Sequence, residues 1–197
     1  MRNLILKMSM SLDGFVSGPN GELDWVFKTG DDESRAWSLG VVSRATAHVI
    51  GRKTWSDWCA FYPTAKIPFA PYMNNVEKVV FTRSAALAPG KPVPADADPV
   101  VAKSWTNPRV ANGDLVEEIT RLKSEQGGDI LASAGIEFIQ ALVAADLIDE
   151  YHLAIHPVVL GSGGAIFAKA APRDLVLVDS KRFPKGVVAH TYRKTHA

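Results

Sequence analysis

Residues 49–55 combine the features that bind an anion at the start of a helix. The β-branched Val49 and Ile50 indicate the end of a strand, and Gly51 leads into a short helical segment. Backbone N–H groups at a helix start have no partners within the helix, and the helix dipole favours negative charge there. Arg52 and Lys53 add full positive charge, and Thr54 adds a hydroxyl. The segment predicts a phosphate site, although an ordinary junction with two solvated cations would look the same.

Two further predicted strands end in similar junctions. Their residues are Thr82, Arg83 and Ser84 after the strand ending near Phe81, and Ser133, Ala134, Gly135, Ile136 and Glu137 after the strand ending near Ala132. Open α/β sheets bind ligands at the carboxyl ends of their strands. Hydroxyls, helix starts and cations together suit a dinucleotide, and arginine's grip on phosphate favours NADP over NAD. The chain lacks GxGxxG, so a Rossmann site is not expected.

Asp13 is the main candidate for acid–base or substrate-orienting chemistry, because it follows the first predicted strand. An Asp-Gly turn explains it equally well. Trp25 could stack on a planar ring or simply fill a loop cleft. Glu150, His152 and His156 alternate along one strand, where a solvated face or a subunit interface is favoured over a metal site. No metal is therefore expected.

The elements that must position these residues alternate between strands and helices. Strands are predicted at 3–10, 47–50, 76–82, 99–104, 129–133, 150–155, 175–178 and 187–192. Helices are predicted near 31–44, 54–58 and 115–126 and from 136 onward, with loops at 61–71 and 85–99 and Trp25 in a loop. This alternation predicts an α/β layered fold with a largely parallel sheet, which a closing hairpin makes mixed.

Composition sets wider bounds. The 197 residues, 47% of them hydrophobic, predict one domain spanning residues 1–197. A net charge of +1 argues against general nucleic-acid binding. Cys59 is the single cysteine, so no intramolecular disulfide can form, which suits a reducing cytoplasm. With no secretory signal and no apolar run of spanning length, we expect a soluble cytoplasmic protein without a membrane partner.

Three ordered motifs resemble the dihydrofolate-reductase-like superfamily, and within it the C-terminal reductase domain of bacterial riboflavin biosynthesis proteins. The motifs are Met-Ser-Leu-Asp-Gly at 10–14, Val-Ile-Gly-Arg-Lys-Thr-Trp at 49–55, and Leu-Ile-Asp-Glu-Tyr-His-Leu at 147–153 continuing through Pro157 to Gly163. The resemblance implies a three-layer α/β/α domain with a mixed, mostly parallel central sheet. It also implies a homodimer.

The resemblance further implies NADPH binding at Gly51, Arg52, Thr54, Thr82, Arg83 and the 133–137 turn. Asp13 and Gly14 would lie where cofactor and substrate meet, and Leu160 and Gly161 would border the same cleft beside Trp25. Dihydrofolate reductases hold the pterin with a carboxylate well inside the first helix. That place falls near Arg35 in this chain, while Asp31, Asp32 and Glu33 lie one turn earlier.

These features predict an NADPH-dependent reductase acting on a small heterocycle or a ribosylamino-pyrimidine. The nearest named reaction is that of the 5-amino-6-(5-phosphoribosylamino)uracil reductase of riboflavin biosynthesis. Asp13 would orient the substrate or relay a proton. The alternatives are pterin reduction of the dihydrofolate reductase type and a non-catalytic nucleotide-binding module on the same scaffold.

Overall fold

The computed structural model describes residues 1–195. Eight strands form, namely β1 (Leu4–Ser11), β2 (Ala45–Gly51), β3 (Glu77–Phe81), β4 (Arg109–Ala111), β5 (Asp129–Ala132), β6 (Glu150–His156), β7 (Leu175–Arg182) and β8 (Val188–Lys194). The helices are α1 (Asp24–Thr29), α2 (Asp32–Val42), α3 (Arg52–Cys59), α4 (Ala70–Asn75), α5 (Pro99–Thr106), α6 (Leu115–Ser124) and α7 (Ile136–Ala144), with a 3₁₀ turn at Tyr62–Thr64.

All eight strands join one sheet in the order β4-β3-β2-β5-β1-β6-β8-β7. The first six strands in this order run parallel, whereas β8 is antiparallel to both β6 and β7. β1 lies near the middle of the sheet, between β5 and β6, where helices cover both of its faces. Its mostly apolar sequence is typical of such a parallel strand. The predicted mixed, mostly parallel sheet is confirmed.

Helices cover both faces of the sheet and make three layers. On one face, Leu4 and Leu6 of β1 pack with residues of α6 and α7 such as Ile119 and Ile139. On the other face, Ile5 packs in a second cluster with residues of α2, α3, α4 and α5. The alternation of side chains along β1 divides its residues between the two cores.

The structure corrects several element predictions. Residues 99–104, predicted as a strand, belong to α5, because Asp98 caps the helix start and Pro99 occupies its first turn. The short strand β4 was not predicted. The predicted loop at 61–71 contains the 3₁₀ turn and the start of α4. Trp25, predicted in a loop, is buried on α1.

Because six strands run parallel, their carboxyl ends lie at the same edge of the sheet. That edge therefore gathers the segments after β1, β2, β3, β5 and β6, which hold the predicted site residues. Across residues 1–195, no helix is long and apolar enough to cross a membrane.

Candidate active site

Two helix starts meet at the carboxyl edge of the sheet. Gly51 precedes α3 and Gly135 precedes α7, and neither start has a side-chain cap. Gly135 has φ of 83°, in the left-handed region that favours glycine, and a Cβ built on it would lie 2.9 Å from Thr54 Oγ1. The two starts are thus in contact, and their free N–H groups form a cradle for an anion.

Positive charge surrounds this cradle. Arg52, Lys53 and Arg83 are exposed. Within residues 1–195, none of the three makes a salt bridge or a side-chain hydrogen bond. By contrast, Arg109 is held by Glu125 through two hydrogen bonds. The cations at the cradle are therefore free to pair with a ligand.

The remaining predicted cofactor residues lie close by. Thr82 Oγ1 accepts a hydrogen bond from the Ser84 N–H at 3.1 Å, which shapes the turn after β3. Ile136 is half-buried in the first turn of α7, beside Ala134. Glu137 in the same turn is exposed, and its charge would oppose an anion at this helix start. Of the predicted cofactor residues, only Glu137 does not suit an anion.

Ser133 is hydrogen-bonded to His48, a residue that the sequence analysis did not identify as part of the site. Ser133 Oγ lies 3.1 Å from His48 Nε2, and His48 is buried on β2. Burial, assisted by the charge of Lys78, lowers the pKa of His48 to about 3. The imidazole is therefore neutral at ordinary pH and orients the Ser133 hydroxyl at the edge of the cradle.

Asp13 joins the loop after β1 to the loop after β6. Its carboxylate accepts hydrogen bonds from the N–H groups of Leu160, at 3.1 Å, and Gly161, at 2.7 Å. The Ser11 hydroxyl and these backbone donors hold the pKa of Asp13 below its usual range. The structure brings together Asp13, Gly14, Leu160 and Gly161 as predicted. The carboxylate is committed to backbone donors, and a catalytic role for it stays a prediction.

A second connection ties the same two loops together. Ser17 and Gly164 form a two-residue antiparallel bridge, in which the Gly164 N–H donates to the Ser17 carbonyl at 3.1 Å. A Cβ at Gly163 would lie only 1.9 Å from that carbonyl oxygen, so the close approach requires glycine. The Leu12 N–H also donates to the Val158 carbonyl. This wall of the cleft is fastened at three points.

Lys7 is a candidate that the sequence reasoning missed. It is half-buried on β1, on the same face as Ile5, Ser9 and Ser11, and this face packs against α2. Burial lowers the pKa of Lys7 to about 8. Lys7 has no salt-bridge or hydrogen-bond partner in the part of the chain that the structure describes. The sequence feature that could have identified Lys7 is a lysine within a mostly apolar central strand, where charged side chains are uncommon.

No carboxylate of α2 faces the sheet in the described structure. Asp31 caps the helix and accepts from Ser34 N and Lys185 N, while Arg35 pairs with Asp32 at the surface. The buried polar residues of α2 are Ser34 and Ser38. The side chains between β1 and α2 therefore include the cation of Lys7 and the hydroxyls of Ser34 and Ser38, and no carboxylate of the described residues lies there to bind a pterin.

Trp25, predicted to contact substrate, is buried and lies edge-on to His156, with ring centroids 5.2 Å apart. It therefore fills the space beneath α1. Glu150 is buried and held by Arg193 and Arg44, beside His152. Among residues 1–195, no group of three or more His, Cys, Asp or Glu side chains is arranged to hold a metal ion.

The model of the RibD C-terminal domain family matches residues 2–189. The chain is 28% identical over 197 residues to the uncharacterized protein YyaP of Bacillus subtilis (strain 168), covering 97% of this chain and 94% of YyaP. A protein assigned to riboflavin biosynthesis from Shewanella sp. PV-4 has a similar structure, with a TM-score of 0.73 and 22% identity over the full length of both chains.

A dihydrofolate reductase from Enterococcus faecalis, complexed with NADP(H) and RAB-propyl, also has a similar structure. The TM-score is 0.60 and the identity 15%, and the match covers 98% of this chain and 97% of the reductase. At these identities, the two solved structures establish a dihydrofolate-reductase-like fold.

Proposed function

The chain belongs to the RibD C-terminal domain family, and on that premise we propose that it is an NADPH-dependent reductase of a small heterocycle of the ribosylamino-pyrimidine kind. The observation that carries this proposal is that two uncapped helix starts meet beside unpaired cations. Gly135, before α7, lies against Thr54 in the first turn of α3. That arrangement supports the binding of a pyrophosphate and of a further phosphate.

The residues of the cradle fit a phosphorylated dinucleotide. N–H groups after Gly51 and Gly135 would receive the pyrophosphate, and Arg52, Lys53 and Arg83 would pair with its charge and with a 2′-phosphate. Thr54, Thr82, Ser84 and the Ser133 hydroxyl would supply further hydrogen bonds. When bound, the nicotinamide supplies the hydride, while the protein orients the reactants and excludes water.

The substrate would lie against β1, β6 and α2. Lys7 would donate a hydrogen bond to a carbonyl or an anionic group of the substrate, and with a pKa of about 8 it remains mostly protonated at neutral pH. Asp13 would position the loop carrying Leu160 and Gly161 against the substrate. The lack of a facing carboxylate on α2 in the described residues favours this class of substrate over a pterin.

We also propose a homodimer formed through β7. This strand is at the end of the sheet order, with β8 as its one neighbour in the described structure. Val176, Leu177 and Val178 are 46–50% exposed. An exposed apolar edge strand favours pairing with another strand. The same strand of a second copy would cover these side chains.

The experiment that tests the cofactor site is a calorimetric titration of the purified chain with NADPH and NADH. Arg52→Ala and Arg83→Ala should each weaken NADPH binding by about tenfold or more, because each removes a charge-assisted contact. Lys169→Ala, which removes an exposed cation before β7, should leave the affinity unchanged. No NADPH binding, or equal affinity in all variants, would contradict the proposal.

Turnover separates the reductase from a non-catalytic module. NADPH oxidation is measured with 5-amino-6-(5-phosphoribosylamino)uracil, dihydrofolate and a panel of simple carbonyl compounds. We expect oxidation with the pyrimidine and little with dihydrofolate. Tight NADPH binding without oxidation by any of these compounds would favour the nucleotide-binding module.

A further inference from the structure

His48 lies between Ser133 and Lys78 on one face of the sheet. On one side β2 pairs with β3, where His48 is opposite Lys78. On the other side β2 pairs with β5, where His48 is opposite Leu131 and therefore shares a face with Ser133, two residues later. The Nε2 atom of His48 lies 3.1 Å from Ser133 Oγ, so Nδ1, across the ring, faces the side of Lys78. A hydroxyl and a cation thus flank the imidazole.

These surroundings decide which nitrogen of His48 carries a hydrogen. The ring is neutral, so one nitrogen holds a hydrogen and the other is bare. A hydrogen on Nδ1 would have no acceptor within residues 1–195. It would also face Lys78, whose pKa of about 8 leaves it charged near neutral pH. A hydrogen on Nε2 is donated to Ser133 Oγ. The geometry therefore places the hydrogen on Nε2.

This tautomer fixes what the Ser133 hydroxyl can do. Its oxygen accepts from His48, and its own hydrogen meets no acceptor in the described part of the chain, where Ser133 is half-buried. Ser133 lies two residues before Gly135, which is in contact with Thr54 of α3. One turn later in α3, Trp58 packs against His48, with ring centroids 5.3 Å apart. The free hydrogen is thus available at the edge of the cradle, for an acceptor that a ligand brings.

We propose that Ser133 is a hydrogen-bond donor to a phosphate group and that His48 is the positioning residue that keeps it a donor. Anionic phosphate oxygens only accept, so they match the free hydrogen. With the opposite orientation, Ser133 would donate to His48 and present only lone pairs to the anion. The hydroxyl adds a donor beside the start of α7, which has no side-chain cap. That the phosphate belongs to NADPH rests on the proposed function, whereas the donor role does not.

The tautomer is measured in the chain without a ligand. Nitrogen-15 NMR of the imidazole side chains, with the His48 signals assigned by their loss in His48→Gln, should show Nε2 protonated and Nδ1 bare near neutral pH. A hydrogen on Nδ1 would overturn the proposal, whatever the chain binds.

Binding tests the role of the hydroxyl. Inorganic pyrophosphate and NADP⁺ are titrated calorimetrically into wild type and variants. Ser133→Ala should weaken the binding of both by about tenfold, because a hydrogen bond to a charged group is lost. Ser133→Thr keeps the hydroxyl and should retain most of the affinity. Unchanged affinity in Ser133→Ala would refute the donor role.

A double-variant cycle tests the role of His48. His48→Leu should weaken binding by a smaller factor than Ser133→Ala, since the hydroxyl remains but is no longer oriented. His48→Leu combined with Ser133→Ala should bind as Ser133→Ala does, because His48 acts through Ser133. His48→Gln, whose amide N–H can replace Nε2–H, should recover affinity, which a packing role would not explain. Additive losses would refute the positioning role. If His48→Leu fails to fold, His48→Gln and the tautomer decide.

The two proposals fail separately. Pyrophosphate binding that depends on Ser133, without NADP⁺ binding, would leave the donor site standing and remove the reductase. NADP⁺ binding that is independent of Ser133 would do the reverse. Binding of neither ligand would remove both.

Discussion

The carboxylate of Asp13 accepts a hydrogen bond from the backbone N–H of Gly161, 148 positions later in the chain, at 2.7 Å. This contact fastens the turn after β1 to the loop after β6 at the mouth of the cleft. Because the carboxylate accepts hydrogen bonds from backbone N–H groups, we expect its removal to loosen the loop after β6, whether or not it also affects a proton transfer.

Replacement of Asp13 by Ala should expose the N–H groups of Leu160 and Gly161 to solvent. We expect hydrogen exchange at these two amides to become faster by about tenfold or more, since each loses a charge-assisted hydrogen bond. Asp13→Asn keeps one acceptor oxygen and should show a smaller change. Equal exchange in wild type and Asp13→Ala would show that the Ser17–Gly164 bridge and the Leu12–Val158 hydrogen bond suffice to order this loop.

Gly135→Ala should destabilise the fold and weaken NADPH binding together. The new residue would have to adopt φ of 83° and place its Cβ 2.9 Å from Thr54 Oγ1. We expect a loss of about 1–2 kcal/mol in the free energy of unfolding from the backbone alone, measured by urea denaturation. Adding Thr54→Ala should recover only the steric part. Gly40→Ala, where a Cβ meets no atom within 4 Å, is the matched control.

Lys78 should make stability rise with pH above neutrality. It is buried on β3, where Nζ donates to the Asn74 carbonyl and to Ser104 Oγ. Burial lowers its pKa from 10.5 to about 8, so the unfolded chain binds more protons between these values. From pH 8 to 9, the free energy of unfolding of wild type should gain about 1 kcal/mol relative to Lys78→Met.

The comparison with Lys78→Met cancels the titration of Lys7, whose pKa is also shifted and which is not coupled to Lys78. Lys169→Met, at an exposed position, should follow the wild-type pH dependence. Parallel curves for wild type and Lys78→Met would mean that Lys78 keeps its ordinary pKa in the fold.

Charges on the edge strand should dissociate the proposed dimer. Val176→Lys and Val178→Lys place two cations on β7, where both valines are about half exposed. Light scattering after gel filtration should show the mass falling from dimer to monomer in the double variant. Val116→Lys on α6, where the exposure is 46%, should leave the mass unchanged. A monomeric wild type would contradict the dimer.

The sequence predicted the sheet and the junctions at its carboxyl edge, because apolar strands and glycine-containing helix starts leave local patterns. It failed at residues 99–104, where two valines suggested a strand and the cap at Asp98 decided otherwise. Lys7 and His156 could be placed on one face of the sheet only through the pairing of β1 with β6. Such partnerships depend on register between distant segments, and no local pattern encodes them.

The central position of β1 has a consequence for folding during synthesis. Leu4 pairs with Ile130, and Ile5 pairs with Glu150, so β1 waits for two strands that are made after it. At ribosomal rates, that delay is about 10 seconds. Until β5 and then β6 emerge, the segment Leu4–Ser11 lacks its strand neighbours, which exposes its apolar side chains to aggregation.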